Sequence, residues 1–312
     1  MTMHKAPSEL GEIRARAVDF GMDREEIPRF WFAGKPVPTH VANALHLIFP
    51  MGERFFVRSV RHYMDQVDDP ALREQIKGFF GQEGRHAHEH ERAFVMLEAQ
   101  GYEIRPFLAL YKKVAYDWIE RHSPPALRLA ATAALEHYTA IMAEGALEHD
   151  TLAPVHPKMR ALLQWHAAEE IEHKAVAFDV LQKVRPGYAL RIAGMAVATL
   201  TLIGFWVVGA TMLIRQEKGL SQLEVLRQLR QMGQKEPIVR RVFLRGLREY
   251  LRPDFHPWQR DNLAVARRTL DAATYVHEPV RFLKEGRFLP PEWESRYLKA
   301  ADADTNLRKA IF

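Results

Sequence analysis

The sequence contains no cysteine in 312 residues. That absence excludes a disulfide framework, a zinc–thiolate site, an iron–sulfur cluster and a cysteine nucleophile, so any metal must be held by histidines and carboxylates. The opening stretch, MTMHKAPSELGEIRARAVDFGMDREEI, lacks the apolar core of a secretory signal, which predicts that the N-terminal part stays in the cytoplasm. No zinc finger, aromatic–basic RNA motif or recognisable helix-turn-helix accompanies the net charge of +5, and nucleic acid is not expected as a partner. The charge is unevenly placed: residues 1–190 hold 23 Lys/Arg against 26 Asp/Glu, whereas 215–312 hold 20 against 13. A basic C-terminal third beside an apolar stretch points to anionic lipid. With 47% hydrophobic and 27% charged residues, the chain can bury a sizeable core.

What is present is a repeated pattern of histidine and glutamate. In WHAAEEIEH, Trp165 to His173, the residues His166, Glu170 and His173 stand at offsets of four and three, which on a helix share one face. A carboxylate facing a core must be paired, protonated or bound to a metal. Upstream, GQEGRHAHEHE repeats the spacing with Glu83 and His86. Ferritin-like di-iron bundles combine two Glu-x-x-His helices with two more that contribute one inward Glu each. Glu53 and Glu136 fit those places, and their order along the chain suits an antiparallel four-helix bundle. Glu169 also lies one turn from His173; Glu170 is preferred because it alone completes Glu-x-x-His. His90 falls about 10 Å further along the axis than Glu83 and is expected to support the site rather than ligate.

In chain order, residues 1–37 read as a leader with a short amphipathic helix near Ser8 to Phe20 and no chemistry. A ferritin-like metal-binding bundle spans 38–187. Its helices are expected from Thr39 to Asp65 with a kink at Pro50, from Pro70 to Ala99, from 124 to 148 with Ser123-Pro124 as the cap, and from Pro157 to Val184, with a further helix over 105–121. Residues 188–215 carry Ile192 to Ile214, 23 residues without a charge, long enough to cross a hydrocarbon core of about 30 Å. A wholly buried fifth helix is the alternative, and a monotopic or re-entrant arrangement with both flanks cytoplasmic would reconcile the basic residues on both sides. Residues 216–312 read as a basic helical extension, with helices over 220–251 and 260–284, in which His256 and His277 are isolated. The fold class expected is all-α, a ferritin-like bundle with an added apolar helix and a helical extension.

These residues resemble a bacterial family of predicted metal-dependent hydrolases within the ferritin-like superfamily, and the resemblance extends through YLRPDFHPW, Tyr250 to Trp258. The ligand pattern is also similar to that of di-iron arylamine N-oxygenases, in which a third histidine precedes the last Glu-x-x-His by one turn. Carried over, the resemblance implies Glu53, Glu83, His86, Glu136, His166, Glu170 and His173 as metal ligands, with His166 as the extra histidine. Gln82 stands where those oxygenases have Asp, and the membrane-length segment is an addition, so the arylamine substrate does not carry over.

Carboxylate-rich sites with imidazole suit iron or manganese over zinc. The expected cofactor is therefore two iron ions, with manganese as the alternative, and Glu170 and His166 are the expected catalytic residues. The leading expectation is a membrane-associated di-iron oxygenase or desaturase acting on a lipid-like or apolar substrate with an external electron donor or reductase. A two-metal hydrolase is the strongest rival, and a non-catalytic iron-binding protein is third. Membrane lipid is the expected partner, with a homodimer possible.

Overall fold

The computed structural model describes residues 12–18, 20, 26–149, 151–235 and 239–273. Contacts divide the chain into a large unit, Met1–Arg16 with Phe20–Tyr275, and a small one, Ala17–Asp19 with Val276–Phe312. All helices described belong to the large unit. Among the described residues the fold is all-α, as expected, with a single isolated bridge between Phe32 and Val155.

Four helices enclose the centre. α1 runs from Pro36 to Arg61 with Pro36 in its first turn and Pro50 inside it. α2, Pro70–Ala99, has the expected bounds because its ends are strongly encoded. The Asp69 side chain accepts from the backbone N–H groups of Ala71 and Leu72, Pro70 needs no partner for its nitrogen, and Gly101 takes the left-handed conformation that ends the helix. After α3, Arg105–Tyr111, the chain continues as a π-helical segment, Lys112–Glu120.

α4 spans Pro125–Glu148. Ser123, expected from the sequence to cap it, does not: its hydroxyl donates back to the Ile119 carbonyl at the end of the preceding segment, and Pro124 takes the cap position. The fourth expected helix is two: α5, Pro157–His173, and α6, Val176–Val184. Between them the buried Lys174 donates to the Arg260 carbonyl and to Asn262.

The expected helix near Ser8 to Phe20 is absent over residues 12–18, of which 12–16 form a non-helical strap on α2; residues 1–11 and 19 lie outside the described residues. Glycines in α2 allow this approach. A Cβ on Gly78 would lie 2.2 Å from the Ile13 carbonyl oxygen, and one on Gly81 would lie 2.7 Å from the Ala15 Cβ.

α7, Tyr188–Arg215, contains the whole charge-free stretch. It is neither fully buried nor separate from the bundle. Gly194, Ala198, Leu202, Trp206 and Leu213 form a buried stripe on a helix that packs against α4 and α1. Its other face leaves Leu200, Val207 and Val208 at 75%, 59% and 44% exposure. It is long and apolar enough to cross a membrane by length and composition. Beyond it lie α8, Gln222–Lys235, a π segment, Val239–Leu244, α9, Arg245–Tyr250, and α10, Leu263–Asp271. The expected helix over 260–284 lies outside the described residues beyond 273, as does His277.

The α4–α7 contact yields a testable contrast. A Cβ on Gly194 would stand 2.4 Å from the Ala130 carbonyl carbon, whereas one on Gly204 meets nothing within 4 Å. Gly194→Ala is expected to lower stability by about 1–3 kcal/mol through overpacking, while Gly204→Ala leaves it unchanged or raises it by about 1 kcal/mol through helix propensity. Chemical denaturation of the two variants measures this.

Candidate metal centre

The seven candidate residues come from four helices. Glu53 is on α1, Glu83 and His86 are on α2, Glu136 is on α4, and His166, Glu170 and His173 are on α5. All are buried, none being more than 5% exposed. Their donor atoms form three groups, each within 4.8 Å: Glu53, His86 and His166; Glu83, Glu136 and His173; and Glu83, His86 and Glu170. The third group joins the other two. Glu170 faces both, with Oε1 at 2.8 Å from His166 Nε2 and Oε2 at 3.6 Å from His173 Nε2.

Around this centre, seven carboxylate oxygens and two imidazole nitrogens are buried and make no hydrogen bond of good geometry, although His173 Nε2 lies 3.1 Å from Glu83 Oε1 and 3.4 Å from Glu136 Oε2 as an ion pair. They are both oxygens of Glu53, Glu83 and Glu136, Glu170 Oε2, His86 Nδ1 and His173 Nε2. An unpartnered carboxylate in an interior costs several kcal/mol. Nine such atoms converging on one place fit a cation, and the mixture of oxygens and imidazole nitrogens fits iron, manganese or zinc.

The outward ends of the imidazoles are held. Glu169 Oε2 lies 3.0 Å from His86 Nε2, so an N–H there donates outward and leaves Nδ1 facing the centre. His173 Nδ1 donates to Gln82 Oε1 at 2.8 Å, which turns Nε2 inward. The Gln82 orientation is fixed because its Nε2 donates to Glu172 and to the Arg14 carbonyl. Both arrangements converge on Arg16, whose guanidinium bonds Glu169 at 2.9 Å and Glu172 at 2.7 Å. Such partners set ring orientation and ligand basicity.

Glu169, the alternative ligand in the sequence, therefore faces the strap, while Glu170 faces the centre. The strap itself, in which the sequence showed no chemistry, supplies Arg16. Its signal was hidden because a single arginine in a polar leader has no periodic partner.

His166 is held differently. Its Nδ1 lies 2.5 Å from His90 Nε2, and His90 Nδ1 lies 2.6 Å from His46 Nδ1. His90 thus supports the site, as expected from its axial offset. His46 was missed, although His40, Asn43, His46 and Glu53 form a polar stripe on the inner face of α1 that could have shown it. Trp165 stands edge-on to His86 with ring centroids 4.8 Å apart. His256 bonds Asp179 at 2.9 Å, away from the centre.

The electrostatics of the metal-free cluster follow from burial. Desolvation, with repulsion from neighbouring carboxylates, raises Glu53 and Glu83 well above the usual carboxylate range. Burial likewise raises Glu136 against the pull of His173. Burial alone would raise Glu170, but His173 and His166 bring it below its ordinary value. His173, which burial would lower, is pushed up to about 9 by Glu136 and Glu170. Without a cation, protons hold the cluster near neutrality.

A cavity of about 800 Å³ reaches this centre between α1, α4 and α5, and of the seven residues only His166 and Glu170 line it. A smaller apolar cavity of about 90 Å³ reaches Glu53 beside α7.

The model of a family described as "Predicted metal-dependent hydrolase" matches residues 14–261, more than half of the chain. The chain belongs to this family. The match begins at the strap that carries Arg16 and ends beyond the Tyr250–Trp258 stretch, so it takes in every element of the centre. Searches of curated proteins and of solved structures each gave no match.

Two outcomes test the centre. Gln82→Leu and Arg16→Met are expected to weaken divalent-metal binding by about 10- to 100-fold, the usual effect of removing an outer partner, while His173→Ala abolishes one position; metal analysis after dialysis against a chelator reads both. The second outcome is proton release. Carboxyls with raised folded pKa values stabilise the metal-free fold below their unfolded value, and that contribution is lost as pH rises through the folded one. Metal uptake near neutral pH should therefore release protons and weaken as pH falls, read by calorimetry in buffers of different ionisation enthalpy.

Proposed function

We propose that the chain is a dinuclear metal enzyme that hydrolyses an apolar, lipid-like substrate in the large cavity. The observation that carries this reading is the convergence of nine buried donor atoms without a good hydrogen bond on one place, two of whose residues, His166 and Glu170, also line the cavity. The family's description supports hydrolysis. Two divalent ions held by the seven residues would polarise a scissile group and lower the pKa of a water.

The chain's own residues supply the rest. His86 and His173 are oriented by Glu169 and Gln82. Glu170 spans the two halves of the cluster, and His166 turns its ring to the cavity with His90 behind it. Phe49 stands edge-on to His166 at 5.2 Å and lines the same cavity.

Oxidation by dioxygen is the second reading, and the donor set favours it. Four carboxylates offset the charge of two divalent ions, which weakens them as Lewis acids and stabilises higher oxidation states. Iron or manganese and an external electron donor would then be required.

The outward face of α7 supports association with a membrane surface. Its inner face packs along α4 and α1, so the helix lies against the bundle instead of leaving it. Leu223, Leu226 and Leu229 make a second exposed apolar stripe on α8, flanked by the exposed Arg227 and Arg230, the pattern of an interfacial helix. A second copy of the chain on α7 is the alternative. Fractionation with a carbonate wash, followed by sizing in detergent, separates the two.

The reaction is tested with metal-loaded protein and long-chain esters or amides under anaerobic conditions. Turnover without reductant or oxygen is expected. Glu170→Ala should lose metal and turnover together, and His166→Ala should keep most of the metal but lose turnover. Oxygen consumption by the reduced protein, with no anaerobic hydrolysis, would replace hydrolysis by oxidation.

A further inference from the structure

The donor groups of the centre do not offer a metal the same charge. One, Glu53, His86 and His166, combines a single carboxylate with two imidazoles; another, Glu83, Glu136 and His173, combines two carboxylates with a single imidazole. Glu170 faces both, with Oε1 at 2.8 Å from His166 Nε2 and Oε2 at 3.6 Å from His173 Nε2, so it does not even out the difference. A ligating imidazole is neutral and a ligating carboxylate is not. A divalent ion beside Glu53, His86 and His166 therefore keeps more of its positive charge than one beside Glu83, Glu136 and His173.

Access is unequal in the same sense. His166 and Glu170 line the large cavity, and Glu53 lines the small one. Glu53 Oε1 lies 3.7 Å from His166 Nε2, and Phe49 and Thr139 line both cavities. The two spaces thus approach a single donor group from two sides. Neither is lined by Glu83, Glu136 or His173. Those three side chains are fully enclosed at 0% exposure, whereas Glu53, His166 and Glu170 keep 2%, 5% and 4%. Phe79 stands edge-on to His173 with ring centroids 5.1 Å apart, and Gln82 holds its Nδ1, so this side of the centre is packed with protein.

We propose that the centre is divided in function. The position held by Glu53, His86 and His166 receives the polar group of the substrate, and the position held by Glu83, Glu136 and His173 is closed to ligands. The open position joins the larger residual charge to access, the combination that polarising a carbonyl oxygen requires. For zinc, closed coordination marks structural sites and an open position marks catalytic ones; here both kinds lie in one centre. The ligand class is an ester or amide carbonyl on an apolar chain, its oxygen at the open position and its chain leading into the large cavity past Leu163 and Leu45, which line it one turn before His166 and Phe49. This deepens the hydrolytic reading by naming the position that takes the substrate, and it rests on the centre being dinuclear, not on turnover.

The test loads the full chain with two cobalt(II) ions, whose visible absorption reports their coordination. The probes are acetohydroxamic and octanohydroxamic acid, a chelating head without and with an apolar tail. Only one of the two ions should respond, saturating at one hydroxamate per chain. The longer acid should bind more tightly, by up to about four-fold per added methylene. Leu45→Trp and Leu163→Trp should remove most of that gain while acetohydroxamate still binds; helix and cobalt content verify that both variants are folded and loaded. Glu53→Ala should keep a cobalt ion that no longer responds, and His173→Ala should keep one that does. On exposure of the wild type to a chelator, the responding ion should leave first.

A response from both ions overturns the proposal, as does one that survives Glu53→Ala but is lost in His173→Ala. Equal binding of the two acids also overturns it. Should either alanine variant lose both ions, the stoichiometry of the wild-type response and the two tryptophan variants decide. The hydrolytic reading fails separately. A one-ion response in a chain that hydrolyses neither esters nor amides sinks hydrolysis and leaves the division standing, while turnover with both ions responding does the reverse.

Discussion

Four carboxylates and three imidazoles sit at the centre of a helical bundle with almost no access to water, and the rest of the structure depends on how that charge is balanced. Protons can balance it, and burial pushes Glu53, Glu83 and Glu136 towards the protonated state. Cations balance it better, because each oxygen and nitrogen left without a partner then acquires one. The bundle is thus a frame whose interior is incomplete by its own hydrogen bonding. Groups of this kind are costly in a core that serves packing alone.

A second layer keeps the centre oriented. Arg16 reaches from a non-helical strap to Glu169 and Glu172, and through them to His86 and, by way of Gln82, to His173. The strap lies close to α2 because Gly78 and Gly81 present no Cβ to it. One guanidinium therefore ties the outward ends of two imidazoles on different helices. On the opposite side His90 and His46 hold His166, so each of the three imidazoles is turned by a different neighbour.

α7 connects the centre to the outside. Its small and apolar inner face allows close contact with α1 and α4, and Gly194 against Ala130 is the tightest point. Trp206 lines the large cavity and donates to the Val41 carbonyl. The helix that carries the membrane-length stretch thus also contributes to the wall of the cavity that reaches His166 and Glu170. Family membership accounts for metal dependence, and of the seven residues His166 and Glu170 line the large cavity.

The sequence by itself determined the helices, their ends where a cap, a proline or a glycine encodes them, and all seven residues that meet at the centre. Those residues were legible because offsets of three and four project side chains to one helical face regardless of what packs there. Tertiary structure alone shows that Glu169 faces the strap and Glu170 the centre, since adjacent residues differ by about 100° and the position of Arg16 is not written in local periodicity. It also decided that the N-terminal residues form a strap, that the long fourth helix breaks at Lys174, and that His46 joins His90. Each depends on a partner distant in sequence, and local periodicity carries no record of such a partner. The apolar length of α7 was equally plain in the sequence, but only packing showed that one face belongs to the bundle and the other does not.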